Sequence, residues 1–246
     1  MTHTQEVRSR ASEIKFVVDA DTGERIRSWA RSFLEPDPHG AGAFGDEYRT
    51  STLYFDTAEG DVFHQRGSFG RAKYRIRRYG RSDVIFLERK LRQPGLLVKR
   101  RTEAPIDFLD GRGDASEHWR RLGGWFERRL AARGLEAVCQ LSYHRLARAT
   151  ATETGPARLT LDQTIEAVAI TSPRFSADDG LPVLRGRHIL ELKYRSHVPA
   201  VFKRLIEDFR LRPHAVSKYR LGQAALRGLP VPNVIDAHER EHHIRV

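Results

Sequence analysis

The sequence predicts an antiparallel β-sheet or barrel with helices packed outside it. About eight or nine segments alternate charged and apolar residues, the period of a strand with two unlike faces. Turn signals join neighbouring segments closely: Gly80 with Ser82 and Asp83 in one place, Pro94 with Gly95 in another. Helical spacing of apolar residues is confined to four stretches.

In chain order, residues 13–18 alternate as a strand. A helix follows, with Asp21 or Thr22 as its cap and Ile26, Trp29, Ala30 and Phe33 on one face; Pro36 and Pro38 end it. Residues 39–46 read as a loop. Strands are expected at 51–57, within 70–80, within 83–91 and within 96–106. A second helix is expected in 116–133, where Trp119, Leu122, Phe126 and Leu130 share a face. Further strands fit at 140–150, 157–162, 165–171 and 187–195. An amphipathic helix lies in 198–210, carried by Val201, Phe202, Leu205, Ile206 and Phe209, and a last helix around 215–227. The tail after Gly228 is expected to be peripheral. No internal repeat, low-complexity block or linker divides the chain.

Composition narrows the function. The 246 residues are 39% hydrophobic, enough for a core, so wholesale disorder is excluded. Lys and Arg outnumber Asp and Glu by 43 to 32, and the resulting +11 calls for an anionic partner. Apolar runs reach only about four residues against the ~20 needed to cross a bilayer, so no membrane segment is expected. The first residues lack the apolar core of a secretory signal. The single cysteine, Cys139, excludes an internal disulfide and a Cys-based zinc site, and reads as a small buried residue. The expectation is a soluble, cytoplasmic, basic protein.

The informative pattern is which face of each strand carries charge. Arg71, Lys73, Arg75 and Arg77 share a face against Ala72, Tyr74 and Ile76. Glu191, Lys193 and Arg195 oppose Leu190, Leu192 and Tyr194, and Glu13 and Lys15 oppose Ile14 and Phe16. Arg158, Thr160 and Asp162 oppose Leu159 and Leu161; Lys99, Arg101 and Glu103 oppose Val98; Glu88 and Lys90 share a face with Phe86. A sheet with one wet side would also alternate. Yet stacked like charges repel unless something pairs them, and Glu-x-Lys recurs at 13–15, 88–90 and 191–193. Many cations with a few carboxylates on converging faces would suit a polyanion and a divalent metal.

These residues resemble a known family. The motifs EIKF at 13–16, LYFDT at 53–57, KYRIRRYG at 73–80, FLERK at 86–90 and VKRR at 98–101 stand in its order. So do LSYHR at 141–145, RLTLD at 158–162, ILELKYR at 189–195 and SKYRLG at 217–222. The chain resembles the VTC domain, the polyphosphate polymerase-like branch of the triphosphate tunnel metalloenzyme (CYTH-like) group. The resemblance implies an α+β fold, an eight-stranded antiparallel β-barrel tunnel with helices outside. It also implies a division into an N-terminal extension at 1–12, a tunnel domain at 13–228 and a C-terminal tail at 229–246.

By the same resemblance, Arg75, Arg77, Lys90 and Arg145 take catalytic positions. Lys15, Lys99, Tyr143, Arg158, Lys193, Ser217 and Lys218 bind substrate. Glu191 matches the metal carboxylate, with Glu13 and Glu88 as further metal ligands. The chemistry agrees: arginine offers phosphate a planar fork, lysine a point charge, and Mn²⁺ or Mg²⁺ bridges carboxylate and phosphate oxygens. The implied reaction moves the γ-phosphate of ATP onto inorganic polyphosphate. A tunnel triphosphatase acting on tripolyphosphate or nucleotides, and a non-catalytic polyanion-binding module, are the alternatives. One departure is His214-Ala215-Val216, where the resemblance leads to another basic residue before Ser217.

Other motifs carry less. GAGAFG at 40–45 spells a dinucleotide fingerprint, but it leads into a strand where a fingerprint needs a helix, so it reads as a loop. His238, His242 and His243 in the tail could meet as metal ligands, against the simpler reading of a solvated end. Nucleic acid is not expected as a partner, because the cations are interleaved with glutamates within strands and do not form an open stripe. No Ser/His/Asp signature and no HExxH is present.

Overall fold

Alternation becomes structure in a computed structural model that describes residues 5–9, 11–37, 40, 42–93, 96–110 and 117–230. The Pro94–Gly95 turn, the 231–246 part of the tail and its three histidines lie outside the described residues. In chain order the elements are β1 (Gln5–Ser9), β2 (Ala11–Asp19), α1 (Ala20–Phe33), β3 (Glu35–Pro36), β4 (Glu47–Asp56) and β5 (Ala72–Tyr79). They continue with β6 (Val84–Gln93), β7 (Leu96–Pro105), α2 (Glu117–Ala131), β8 (Glu136–Thr152) and β9 (Gly155–Ala169). Last come β10 (Leu181–Pro182), β11 (Arg187–Arg195), α3 (Ala200–Asp208) and α4 (Lys218–Leu226).

The chain forms two compact units. The first takes the N-terminal segment ending at Ser9, Thr50–Ser142 and Ala167–Leu181; the second takes the segment ending at Arg49, Tyr143–Glu166 and the chain from Pro182 onward. In the first unit the strand order is β1-β7-β6-β5-β4-β8; in the second it is β8-β9-β11-β2, with β3 on β8 and β10 on β9. The registers of β1/β7, β4/β5, β5/β6 and β6/β7 are antiparallel, as are those of β9/β11, β11/β2 and β3/β8. This corrects the expectation of a closed eight-stranded barrel. The described residues form eleven strands, and the order is an open path from β1 to β2 with no pairing that joins its ends. Two of the added strands are two-residue bridges, too short to show a period, and β1 adds a strand where no alternation was read.

In the first unit the apolar parity of β4–β7 is buried against α2. Phe55 and Tyr74 meet the Phe126 ring edge-on at 5.6 and 6.0 Å. Gly123 lets α2 approach closely: a β-carbon there would stand 2.7 Å from the Phe108 ring. Phe126 is buried as expected, joined by Trp125, whose Nε1 donates to Thr102 Oγ1 at 2.9 Å. The side chains of Trp119 and Leu122 are outside those described. The LYFDT motif ends in a buried carboxylate: Asp56 accepts backbone N–H bonds from Thr57, Val62 and Phe63 at 2.7–2.9 Å and so shapes the turn after β4.

In the second unit Ile14, Phe16 and Val18 of β2, Leu159 and Leu161 of β9, and Leu190 and Leu192 of β11 form one apolar face. Ile26, Trp29 and Ala30 of α1 and Phe202 and Leu205 of α3 complete this core. Each fully buried side chain of this size contributes about 1.5–3 kcal/mol. The α1 cap is Asp19, one turn earlier than expected, accepting from the Thr22 N–H at 2.7 Å. Phe33 is 45% exposed, a departure from the expected stripe, because α1 ends there and the ring meets Trp29 and the Arg204 guanidinium. The expected strands 157–162 and 165–171 are one continuous β9 that passes Thr164 at φ 44°, a local kink that broke the sequence period. Residues 42–45 turn directly into β4, as a loop and not a phosphate-binding helix start.

Candidate functional site

Residue parity places the predicted site residues in two clusters, one in each unit. In the first unit β5, β6 and β7 stand side by side, and antiparallel register turns parity into rows. One row is Arg75–Glu88–Arg101; the next is Lys73–Lys90–Lys99; a third is Arg77–Phe86–Glu103. The three lysines stand directly opposite one another, like charges that repel unless counter-charges such as Glu88 beside Lys99 offset them. Glu88, 1% exposed, lies at the centre of the cluster. Its Oε2 accepts from Arg75 Nε at 2.6 Å, its Oε1 from Arg101 Nε at 2.6 Å, and Lys99 Nζ lies 2.9 Å from Oε1. Arg77 is buried and donates from Nε to Thr52 Oγ1 at 3.3 Å.

Charge sets the ionisation here. Burial pushes the Glu88 carboxyl up, but Arg75, Arg77, Lys99 and Arg101 outweigh it and hold it well below the usual glutamate range. Burial also raises the Tyr79 phenol, yet the charges of Arg77 and Arg101 bring it down to about 7. Arg101 Nη2 donates to that phenol oxygen at 3.1 Å. Desolvation brings Lys99 down to about 8, with Glu88 resisting.

In the second unit the charged parity of β2, β9 and β11 forms further rows: Glu13–Lys193–Arg158 and Lys15–Glu191–Thr160. Lys15 Nζ lies 3.1 Å from Glu13 Oε1 and donates to the Val216 carbonyl at 2.9 Å, while His214 N–H donates to the Lys15 carbonyl at 2.7 Å. The His214-Ala215-Val216 departure therefore lies along β2 and holds Lys15 through backbone. Ser217 is buried at the N-cap position of α4, and Lys218 opens that helix. Lys218 Nζ lies 2.7 Å from Asp162 Oδ2 and bonds Glu191 Oε1. Arg145 grips Asp162 with two bonds, Nε to Oδ1 at 2.6 Å and Nη2 to Oδ2 at 2.8 Å. The buried Tyr143 ring faces both cations, 5.2 Å from the Arg145 guanidinium and 5.7 Å from Lys218. Arg158 is set apart from this network, paired with Asp37 at 2.8 Å and donating to the Tyr48 hydroxyl at 2.9 Å.

Burial raises Glu191, but Lys218, Lys193, Lys15 and Arg145 hold it well below the usual range. Burial likewise opposes Asp162, and Arg145 and Lys218 lower it. In return the two carboxylates raise Lys218 against its own desolvation, and Asp162 leads the groups that raise Arg145. Glu191 and Asp162 are 8% and 0% exposed, so this is not a face that simply meets water.

The metal question rests on the carboxylates. Among the described residues no three His, Cys, Asp or Glu gather as a metal cage. Glu13 Oε2 and Glu191 Oε2 each lie 3.5 Å from Lys193 Nζ, so two carboxylates converge on one cationic point. That donor set fits a hydrated hard ion held by one or two carboxylates, as magnesium-like ions are, with phosphate oxygens completing the shell. Glu88 lies in the first unit, where its oxygens meet Arg75, Lys99 and Arg101, as those of Glu13 and Glu191 meet lysines in the second.

Among the residues of these clusters that were not sequence candidates are Tyr79, Arg101, Asp162 and Asp37. Arg101 shares the parity of Lys99, Asp162 that of Arg158, and Tyr79 that of Arg77, so the alternation already carried the first three. Asp37 sits in an irregular segment with no period to read. No helix among the described residues is long and apolar enough to cross a membrane.

A family model described as the VTC domain matches residues 10–227 of this chain. Comparison with curated proteins finds no match. Among solved structures, the chain is similar to a candidate adenylate cyclase from Bacillus halodurans, with a TM-score of 0.50 and 16% identity over 84% of this chain and 92% of that one. It is also similar to a candidate adenylyl cyclase from Hippeastrum with a dominant triphosphatase activity, with a TM-score of 0.45 and 18% identity over 89% of this chain and 97% of that one. The first of these likenesses speaks for a shared fold.

Proposed function

This chain belongs to the VTC domain family, and on that premise we propose that it is a metal-dependent phosphotransferase that moves the γ-phosphate of ATP onto inorganic polyphosphate. The reading takes residues 13–228 as the working domain and the cytoplasm as the source of ATP. One observation carries it. Three buried carboxylates of the two clusters, Glu88, Asp162 and Glu191, are each wrapped in cations and held below their usual range, so none of the three is poised to take a proton near neutral pH. The end of a phosphate chain is already anionic and needs no base, whereas water benefits from one. Phosphoryl transfer then asks the protein mainly for positioning and charge neutralisation.

In this reading Arg75, Arg77, Lys90 and Lys99 hold phosphate oxygens in the first unit, and Lys15, Tyr143, Arg145, Arg158, Lys193, Ser217 and Lys218 do so in the second. A divalent ion, Mn²⁺ or Mg²⁺, would be held by Glu191 with Glu13 and would neutralise phosphate charge there. Glu88 keeps Arg75, Lys99 and Arg101 in place.

The test is to incubate the purified protein with ATP and Mn²⁺ and to resolve the products on a gel. A metal-dependent ladder of long polyphosphate is expected. Orthophosphate alone would replace the proposal with a triphosphatase. Neither product, with tripolyphosphate tried as well, would leave a binding module.

A pH dependence follows from the first cluster. Ionisation of Tyr79 near 7 adds a negative charge, and deprotonation of Lys99 near 8 removes a positive one. Both changes lower the cluster's charge, so tripolyphosphate affinity, once the ligand's own ionisation is allowed for, should fall as the pH rises from 6 to 9. Calorimetric titration across that range should show the fall, and Tyr79→Phe should remove its lower step. A flat profile would place the phosphate chain elsewhere.

A further inference from the structure

Asp162 does something in the second cluster that phosphate binding by itself does not require. It is fully buried on the charged face of β9, and both of its oxygens are committed. Oδ1 accepts from Arg145 Nε at 2.6 Å; Oδ2 accepts from Arg145 Nη2 at 2.8 Å and lies 2.7 Å from Lys218 Nζ. Two parallel bonds fix a guanidinium both in its plane and in rotation about its axis. Arg145 has five N–H donors, and this grip directs those it does not use. The Tyr143 ring, close to both cations, limits where they can swing.

On Coulomb grounds alone, a buried carboxylate is a poor component of an anion site. It cancels charge where the ligand needs it, and it is costly to desolvate. Its presence is accounted for when the orientation of Arg145 and Lys218 matters more to the ligand than their summed charge. The sharing of Lys218 supports this, because Asp162 on β9 and Glu191 on β11 hold the ammonium from two neighbouring strands.

We propose that Asp162 is a positioning residue that aims Arg145 and Lys218 at a bound phosphate chain. The inference rests on the phosphotransferase reading above and adds a residue to it. Its test separates charge from orientation. Asp162→Asn keeps the size of the side chain and adds one positive charge to the network, so a purely electrostatic role predicts tighter binding of tripolyphosphate. Positioning predicts the reverse. Calorimetry at fixed ionic strength should find affinity lower by about tenfold, the equivalent of one charge-assisted hydrogen bond.

Asp162→Glu keeps the charge and displaces the fork by one methylene; it is the second variant, in case the amide does not fold, and it should also bind more weakly. Either folded variant binding as tightly as the wild type, or more tightly, would overturn the proposal. Wild-type protein that binds tripolyphosphate but forms no product would defeat the phosphotransferase reading and leave this inference to be decided by the two variants. Wild-type protein that binds no tripolyphosphate would defeat both.

Discussion

Glu191→Gln is expected to abolish metal-dependent turnover while leaving the fold standing. The amide keeps the shape of the side chain but loses the charge that a hard divalent ion requires of its ligand. The expected loss is roughly a hundredfold or more in kcat, which at 1.36 kcal/mol per tenfold is about 2.7 kcal/mol of transition-state stabilisation. The fold should persist for a local reason. Lys218, which Glu191 shares, stays 2.7 Å from Asp162, and a glutamine oxygen still accepts from it. The measurement is Mn²⁺-dependent product formation from ATP, beside a thermal melt of the same variant. Undiminished turnover in a folded variant would take Glu191 out of the metal site.

The second large effect is on stability and falls at Glu88. Glu88→Gln leaves Arg75, Lys99 and Arg101 close together without the carboxylate that separates their charges. Arg75, Lys99 and Arg101 are partly exposed and water can solvate them, so the cost is that of lost charge-assisted bonds, about 1.5–3 kcal/mol, or for a chain of this size a fall of roughly 6 °C in Tm. Its pH dependence has a definite sign. The carboxyl of Glu88 is lowered in the folded protein, so its contribution is complete above the ordinary glutamate value near 4.3 and is lost as pH falls through the lowered folded value. Urea unfolding of wild type and variant at neutral pH and in acid should show a wide gap that narrows in acid. An equal midpoint at neutral pH would mean that the three cations find other partners at no cost.

The alternation of β2, β5, β9 and β11 was legible because a strand has a period of two, whatever it packs against. That parity sorted Glu13 and Lys15 from Ile14 and Phe16, and Glu191 and Lys193 from Leu190 and Leu192, and the apolar set is the core of the second unit. Elements without a period were less legible. The strand β1 and the bridges β3 and β10 carry too little pattern, and Thr164 breaks β9 into two apparent strands. The N-cap of α1 went to Asp19 because capping depends on where β2 ends, which local sequence states only to within a turn.

Which residues share a face, the sign of that face and the motifs that identify the family were readable in advance, because each depends only on residue order and side-chain chemistry. Which cation meets which carboxylate emerges only in the folded chain. Lys73, Lys90 and Lys99 come from three successive strands and become one row through the registers of β5, β6 and β7. Arg145 and Lys218 meet at Asp162 only once β8, β9 and the start of α4 are brought together. Coulomb energy depends on separation and burial, and both arise from how strands and helices pair, so no pattern within a single strand could assign Asp162 its two partners or give Glu88 its three.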